Sequence, residues 1–476
     1  MAVTLRQRNK AGVTAAEKQA SAVDDKGRTE TWGRSFQISF LTRAICASII
    51  AFCPLMVIAF WSACTHYQCS LMALGGRVLD TPPTKTGLWQ LIVDLFPHPT
   101  KEGFMLFGGW LIYQGVMYAI VPSMIGYGQR TPAGHRLPYK VAIHHVNGLN
   151  IWIITHALFL AGSLQFGLFP ASIIADNWGA LLVATNVYGY ILTVFVYIKA
   201  HLFPSHADDR KFSGSWLYDF YMGIEMNPRF GKLWDFKLFH NGRPGICAWT
   251  LINLSFAAKE FETKGYVSKE MIALNLMHAV YVVDFFYNED WYLRTIDIAH
   301  DHFGFYLSWG DSVWLPWMYT LQSHYLLRNV VHLSPAVYAL VWALEIGGYI
   351  IFRVANHQKD YVRRMDGKCK IWGRDARFIR AEYLTSDGKK HSSILLTSGL
   401  WGFTQHFNYI GDLMMCTAFC MTCGFQHLLP WFYVIYMSIL LVHRTLRDDD
   451  RCRAKYGVYW DEYQKAVPWR LIPYVY

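Results

Sequence analysis

The sequence predicts an all-α, polytopic membrane protein with about eight to ten transmembrane helices. Three observations lead there. Hydrophobic types make up 53% of the 476 residues and charged types only 16%, against roughly 25% charged in soluble domains; mean hydropathy is +0.16. Apolar runs long enough to cross about 30 Å of hydrocarbon recur along the chain. These runs lack the alternation of a membrane β-barrel, and a helix satisfies its own backbone hydrogen bonds in lipid.

Taken in order, residues 1–36 read as a flexible polar tail on the cytosolic side, with no apolar core and small-residue cleavage site of the signal-peptide kind. Apolar runs follow at 38–63, 104–125, 149–169, 178–199, 246–257 with 269–286, 305–327, 330–352 and 412–442. Pro and Gly interrupt several, notably in CGFQHLLPWF, which leaves the span count open. Cys64 and Cys69 flank the far end of the first run and would pair on an oxidising side. Most of the ten cysteines instead sit inside apolar runs, where they pack as small residues.

The net charge of +10 does not gather into a cationic face with a recognition motif, so nucleic-acid binding is set aside. Basic loops beside membrane spans account for it. Cations crowd the tail (Arg6, Arg8, Lys10, Lys18, Lys26, Arg28, Arg34), the stretch 353–390, and the C-terminal Arg444, Arg447, Arg451, Arg453 and Lys455. All three regions are expected in the cytosol, which requires an even number of spans.

The segment LLVHRTLRDDDRCRAKYGVYWDEY, Leu440 to Tyr463, turns from apolar to a dense mixture of charges and tyrosines. If it continues as helix, Arg444, Asp448 and Arg451 share a face, and Tyr456 and Tyr463 are a further seven-residue pair. Cations for phosphate, a carboxylate for hydroxyl or amide groups and flat rings for stacking suit a nucleotide. Upstream, Lys359 and Arg363 are i and i+4 on one helix face and suit a diphosphate or a 2′-phosphate. Trp401, Asn408 and Tyr409 add a ring and amide set for a heterocycle. Single cations at helix ends ordinarily snorkel to headgroups, but headgroups do not need the interleaved carboxylate and amide groups. No G-x-G-x-x-G follows a strand and no Walker A segment is present, so side chains at helix ends must do the binding.

GSWLYDFYMGIEMNPR (Gly214 to Arg229) and LLVHRTLRDDDRCRAKYG (Leu440 to Gly457) resemble the two signature segments of the sterol reductase family. The similarity runs over essentially the whole chain after the tail. DFKLFHNGRPGICAWTLINLSFAAK, YNEDWYLRTIDIAHDHFGFYLSWGDSVWLPWMYTLQ and YIIFRVANHQKD most resemble members that reduce the C7–C8 double bond of 5,7-diene sterols. The resemblance implies an endoplasmic reticulum enzyme that uses NADPH to convert 7-dehydrocholesterol to cholesterol. It places NADPH contacts on Lys359, Arg363, Leu396, Trp401, Asn408, Tyr409, Asp448, Cys452, Arg453, Ala454, Lys455, Tyr456 and Tyr463. The expected organisation is a tail (1–36), a transmembrane bundle forming much of the sterol cavity (37–330), and membrane helices with a cytosol-facing NADPH region (331–476).

Such chemistry needs a proton donor beside the hydride source, in a pocket that excludes water. Acids within or at the edge of apolar runs are candidates because burying them is costly: Asp284, Glu289, Asp290, Glu345 and Asp412. Any of them can equally be a paired structural acid; Glu289 and Asp412 are taken as the donor candidates. Cys416, Cys420 and Cys423 have iron–sulfur-like spacing but lie in an apolar span, and His144 with His145, or His300 with His302, form no usual ligand set; no metal is expected. Alternatives are reduction of another bond such as C14, a membrane methyltransferase, or a noncatalytic role as a chromatin tether or a sterol- or drug-binding partner of a sterol isomerase.

Overall fold

The computed structural model describes residues 38–141 and 147–476. The expectations for the tail, and those for His144 and His145, lie outside the described residues. The first long helix, Phe40–His66 (α1), starts where Ser39 Oγ accepts the Thr42 N–H, one of the orphan donors of a helix start. Lys101–Ile120 (α2), Asn147–Leu160 (α3, prolonged by a π-helical turn to Gln165) and Trp178–Leu202 (α4) follow. Then come Cys247–Lys264 (α5), Lys269–Tyr287 (α6), Pro335–Arg364 (α7), Phe407–Met421 (α8), Phe432–Tyr456 (α9) and Val458–Ala466 (α10). Ser334 caps α7, with Pro335 in its first turn where the missing N–H costs nothing. Gly265 ends α5 at φ +76°, a left-handed conformation that favours glycine.

Among the described residues, six helices are long and apolar enough to cross a membrane: α1 to α4, α7, and α9 with its preceding turn. The difference from eight to ten has a physical reason. α5, α6, α8 and the stretch 305–328 are shorter, more polar or broken, the last by a π-helical turn at Gly310–Trp314. Neighbours absorb their polar groups instead of lipid: Ser323 Oγ donates to Asn253 Oδ1 (2.7 Å) and Gln322 Nε2 to the Pro430 carbonyl (3.1 Å). These stretches run between the same two ends of the bundle. At one end Lys264 donates to Leu326 O (3.0 Å) and Asn329 to Gln68 O (3.1 Å), beside a Cys64–Cys69 disulfide.

Among the described residues four two-stranded sheets add to the all-α expectation, and the two longest hairpins pack against the helices. One pairs Met124–Arg130 (β1) with Arg136–Val141 (β2); the other pairs Phe378–Leu384 (β3) with Lys390–Leu396 (β4). The turn of the second contains Asp387 and Gly388, the latter at φ +75°, an Asp-Gly signal for a tight hairpin. The hairpins dock through Ser386, whose N–H and Oγ both reach the Pro132 carbonyl at 2.9 Å.

The crossing of α7 and α8 positions the site. Gly348 and Gly411 face each other so closely that a Cβ on Gly411 would lie 2.5 Å from the Gly348 carbonyl oxygen. Small residues let membrane helices approach this far. Charged residues of the first signature segment go into anchoring: Glu225 pairs with Lys199 (2.9 Å) and Arg229 with Asp235 (3.1 Å), all buried.

Candidate functional site

One cavity of about 1290 Å3 joins the hairpin end of the bundle to its aromatic interior. It exceeds the ~300–1,000 Å3 of a single small-molecule pocket. Its outer part is cationic and its inner part is apolar and ring-lined, so it has the character of two connected binding chambers.

In the outer chamber, α7 presents Lys359 and Arg363, α8 presents Asn408 and Tyr409, and α9 presents Asp448, Lys455 and Tyr456. Trp401 arrives on a short 3-10 turn; its indole N–H donates to Ala355 O (2.7 Å), and Lys359 Nζ lies 4.0 Å from its ring centroid. Asp448 pairs with Arg451, which also reaches His300 Nε2 at 2.9 Å. His406 stacks on Tyr409 with ring centroids 4.9 Å apart, and burial pushes its imidazole down to about 4, so it is neutral near pH 7. Asn408 Oδ1 is buried with no hydrogen-bond partner, a cost that a bound donor would remove.

Other residues singled out from the sequence support the chamber from behind or face away. Leu396, on β4, packs with Val362 and Trp401. Cys452 and Tyr463 join Tyr456 and Trp460 in a buried cluster against Ala381 and Leu395. Arg453 and Ala454 are exposed; Arg453 pairs with Asp461 at 2.7 Å and with Gln464. The helix does not continue from Arg444 to Tyr463: Gly457, at φ +53°, separates α9 from α10. That break folds Tyr463 back onto Cys452 and Tyr456, so the seven-residue pairing of a single helix is replaced by a corner.

The inner chamber is walled by Trp249, Tyr281, Trp314, Tyr319 and Tyr436. Tyr319 stands between Trp249 (5.2 Å) and Tyr433 (4.9 Å) in edge-on contacts, an arrangement rings prefer. Ile45, Ile435 and Ile439 also line the cavity, yet are 50%, 43% and 65% exposed. The chamber therefore opens sideways between α1 and α9 onto the apolar outer surface.

The two donor candidates part company. Glu289 is fully buried, pairs with Arg243 and is not part of the cavity wall. Its pairing and its place outside the cavity wall are what separate it from Asp412. Asp412 lines the cavity, one helical turn below Asn408, and accepts from the Tyr281 hydroxyl at 3.4 Å. Most other cavity acids are neutralised: Asp284 by Arg353 (3.4 Å), Asp297 by Arg444 (2.8 Å) and Asp448 by Arg451. Asp412 is not within ion-pair distance of any cation among the described residues. Sequence reading missed Asp311, a cavity acid held by Asn241 at 3.0 Å, with Oδ2 unpartnered. Both residues sit in π-helical turns, which cluster at functional sites but leave no periodic trace in a sequence.

Cys416, Cys420 and Cys423 are buried packing residues in the central apolar cluster. His300 and Asp301 brace α9 through Arg451 and Arg447. Among the described residues, the one group of three potential metal ligands is His135, His206 and Asp208, none of which lines the cavity.

The model of the ergosterol biosynthesis ERG4/ERG24 family matches residues 34–476. A 7-dehydrocholesterol reductase of Xenopus laevis is 48% identical over 98% of this chain and 99% of its own. One of Danio rerio is also 48% identical, over 94% of each. A delta(14)-sterol reductase of Methylotuvimicrobium alcaliphilum is 36% identical over 89% of this chain and 92% of its own.

Proposed function

Because the chain belongs to the ERG4/ERG24 family of ergosterol biosynthesis, we propose that it is a membrane oxidoreductase that reduces the C7–C8 double bond of 5,7-diene sterols with NADPH, converting 7-dehydrocholesterol to cholesterol. Relatives named for that reaction match at 48%, 48%, 44% and 36% identity, and those named for C14 reduction at 36%, 35% and 37%. The observation that supports the reading best is the continuity of the cavity, with a cationic outer chamber for a dinucleotide and an aromatic inner chamber for a flat polycycle.

The outer chamber fits NADPH on its own evidence. Lys359 and Arg363 are cations with no carboxylate in ion-pair distance among the described residues, and Asn408 has an unsatisfied carbonyl oxygen. Lys359, Arg363 and Lys455 would hold its phosphates, with Trp401, Asn408 and Tyr409 around its rings. When bound, the cofactor supplies a hydride to one alkene carbon.

The protein supplies the rest. Asp412 gives its proton to the other alkene carbon and is left as a carboxylate, to be reprotonated from solvent through the outer chamber. Tyr281 fixes the carboxyl by its hydrogen bond. The faces of Trp249, Tyr319 and Tyr436 lower the cost of positive charge developing on the sterol ring. The opening between α1 and α9 lets a sterol enter from lipid, and the buried inner walls keep water from competing for the charge. The Cys64–Cys69 disulfide supports an oxidising compartment at the far end of α1, and hence an endoplasmic reticulum membrane with the outer chamber and both termini in the cytosol.

The test is to incubate detergent-solubilised protein with NADPH and 7-dehydrocholesterol and to follow loss of conjugated-diene absorbance and gain of two hydrogens by mass. No turnover by folded, NADPH-binding protein overturns the reading; turnover of an 8,14-diene in its place moves the reaction to C14. Asp412→Asn is expected to cut kcat by at least ~10²-fold with KM for NADPH little changed. An unaffected Asp412→Asn beside an inactive Asp311→Asn would transfer the proton to Asp311.

A further inference from the structure

The β1–β2 hairpin and the segment that follows α4 meet outside the cavity, and between them they gather three side chains of metal-ligand type. His135 immediately precedes β2, and His206 and Asp208 lie beyond the end of α4. One ligand atom from each of the three lies within 4.8 Å of the other two. His135 Nε2 is 2.6 Å from Asp208 Oδ2, and the His135 and His206 ring centroids are 4.8 Å apart with the rings 33° from parallel. Seventy-three positions separate His135 from Asp208, so no short spacing motif discloses the set.

Backbone contacts fix the two segments against each other. In the hairpin turn the Gly134 N–H donates to Thr131 O and the Thr131 N–H to His135 O, both at 2.9 Å, with Gly134 at φ +95°. Asp209, next to Asp208, is buried, and its Oδ1 accepts the Ala133 N–H at 3.1 Å. A buried carboxylate on one segment thus clasps the turn of the other, and the ligand-bearing backbones are held in place by contacts that do not involve the ligands themselves. A site on supported backbone loses less on binding than one that must be assembled.

A hydrogen bond between His135 and Asp208 accounts for two members of the set and leaves the approach of His206 unexplained. The donor types say which ion would unite all three. Two imidazole nitrogens and one carboxylate oxygen suit Zn2+ or a similar transition metal, whereas Mg2+ and Ca2+ prefer oxygen ligands throughout. Bonds of about 2.0–2.2 Å in a tetrahedral shell put neighbouring ligand atoms about 3.3 Å apart, so the set has to draw in by at most about 1.5 Å. The His135 and Asp208 side chains are 37% and 57% exposed and have room for that movement. Three protein ligands leave the fourth position to water.

We propose that His135, His206 and Asp208 form a site for one divalent transition-metal ion of the Zn2+ type, which clips the β1–β2 hairpin to the segment after α4. None of the three residues lines the cavity, so the site is separate from both chambers. Its effect on them is indirect: Gln129 and Arg130 of the same hairpin do line the cavity, and the clip steadies that part of the wall.

The experiment uses the full-length protein without a polyhistidine tag, in detergent, stripped with EDTA and desalted. Zn2+ binding is followed by calorimetry, Co2+ binding by the visible absorption of a tetrahedral shell, and melting temperature is measured with and without Zn2+. A single equivalent of Zn2+ is expected to bind and to raise the melting temperature, as any ligand of the folded state does. His206→Ala, which leaves the His135–Asp208 hydrogen bond in place, is expected to weaken Zn2+ binding at least about tenfold and to remove the rise in melting temperature, with the metal-free melting temperature unchanged. Asp208→Asn is expected to do the same and carries the test if His206→Ala does not fold. The site is overturned by absence of saturable Zn2+ binding, by binding that persists unchanged in both variants, or by Mg2+ binding as tight as Zn2+. None of these results touches the reductase reading, in which the three residues have no part.

Discussion

Replacing Gly411 by alanine adds one methyl group to a helix crossing that has no room for it. The new Cβ would lie 2.5 Å from Gly348 O, 2.6 Å from Phe352 N and 3.1 Å from Phe352 Cα. All three are backbone atoms of α7, so no side chain can swing aside. Restoring an ordinary contact of 3.4 Å to the carbonyl oxygen requires α7 and α8 to part by about 0.9 Å. Overpacking of this kind costs about 1–3 kcal/mol. The functional cost is larger, because α7 holds Lys359 and Arg363 while α8 holds Asn408, Tyr409 and Asp412. A shift near 1 Å between binding groups and reacting groups is worth about 10²-fold in rate. The assay is NADPH-dependent loss of the 7-dehydrocholesterol diene, with the melting temperature measured in the same detergent. Gly347→Ala is the control: its Cβ meets only the flexible Met414 thioether, at 3.4 Å. Gly411→Ala with unchanged kcat/KM would show that the crossing does not set the alignment of the two walls; equal losses in both variants would do the same.

Glu289→Gln leaves the Arg243 guanidinium buried without its counter-charge, so a stability loss of about 3–5 kcal/mol is expected, read as a lower melting temperature with KM for NADPH retained in the folded fraction. A normal melting temperature with kcat lost would instead return Glu289 to the chemistry. Acid should destabilise the fold between pH 6.5 and 4. Burial pushes His406 down to about 4, with Lys359 the leading cation beside it, and burial followed by Arg451 holds His300 well below its usual value. The unfolded chain takes up these protons first, so stability is lost as pH falls; at pH 5 a histidine shifted to about 4 gives roughly 2 kcal/mol. Melting temperature against pH checks this, and His406→Gln should flatten part of the slope.

The parts of the site that the sequence disclosed share one property: their chemistry is carried by spacing within a helix. Lys359 with Arg363, and Arg444 with Asp448 and Arg451, keep their register whatever the helices pack against, so a turn of 3.6 residues suffices to put them together. What the sequence withheld depends on tertiary contacts. Gln129 and Arg130 reach the cavity from a hairpin whose strands look like loop between apolar runs, and tertiary contacts hold it there, among them Ser386 to the Pro132 carbonyl and Gln129 Nε2 to the Arg294 carbonyl. Hydropathy leaves the span count open for a related reason: it measures a lipid-facing helix, while 305–328 is wrapped by protein and spends its polar groups on neighbours. Glu289 and Asp412 were equivalent as buried acids in an apolar setting. Only the position of a partner distinguishes them: Arg243 reaches one across forty-six residues of sequence, and the other is left facing the cavity with a tyrosine. An acid that a membrane protein keeps without a cation must either stay neutral or find a proton acceptor, and on the proposed reading that acceptor is the substrate alkene. The proposed donor role rests on the lack of a salt bridge at Asp412 among the described residues more than on its burial; Asp311 shares that lack, which is why the two acids are tested side by side.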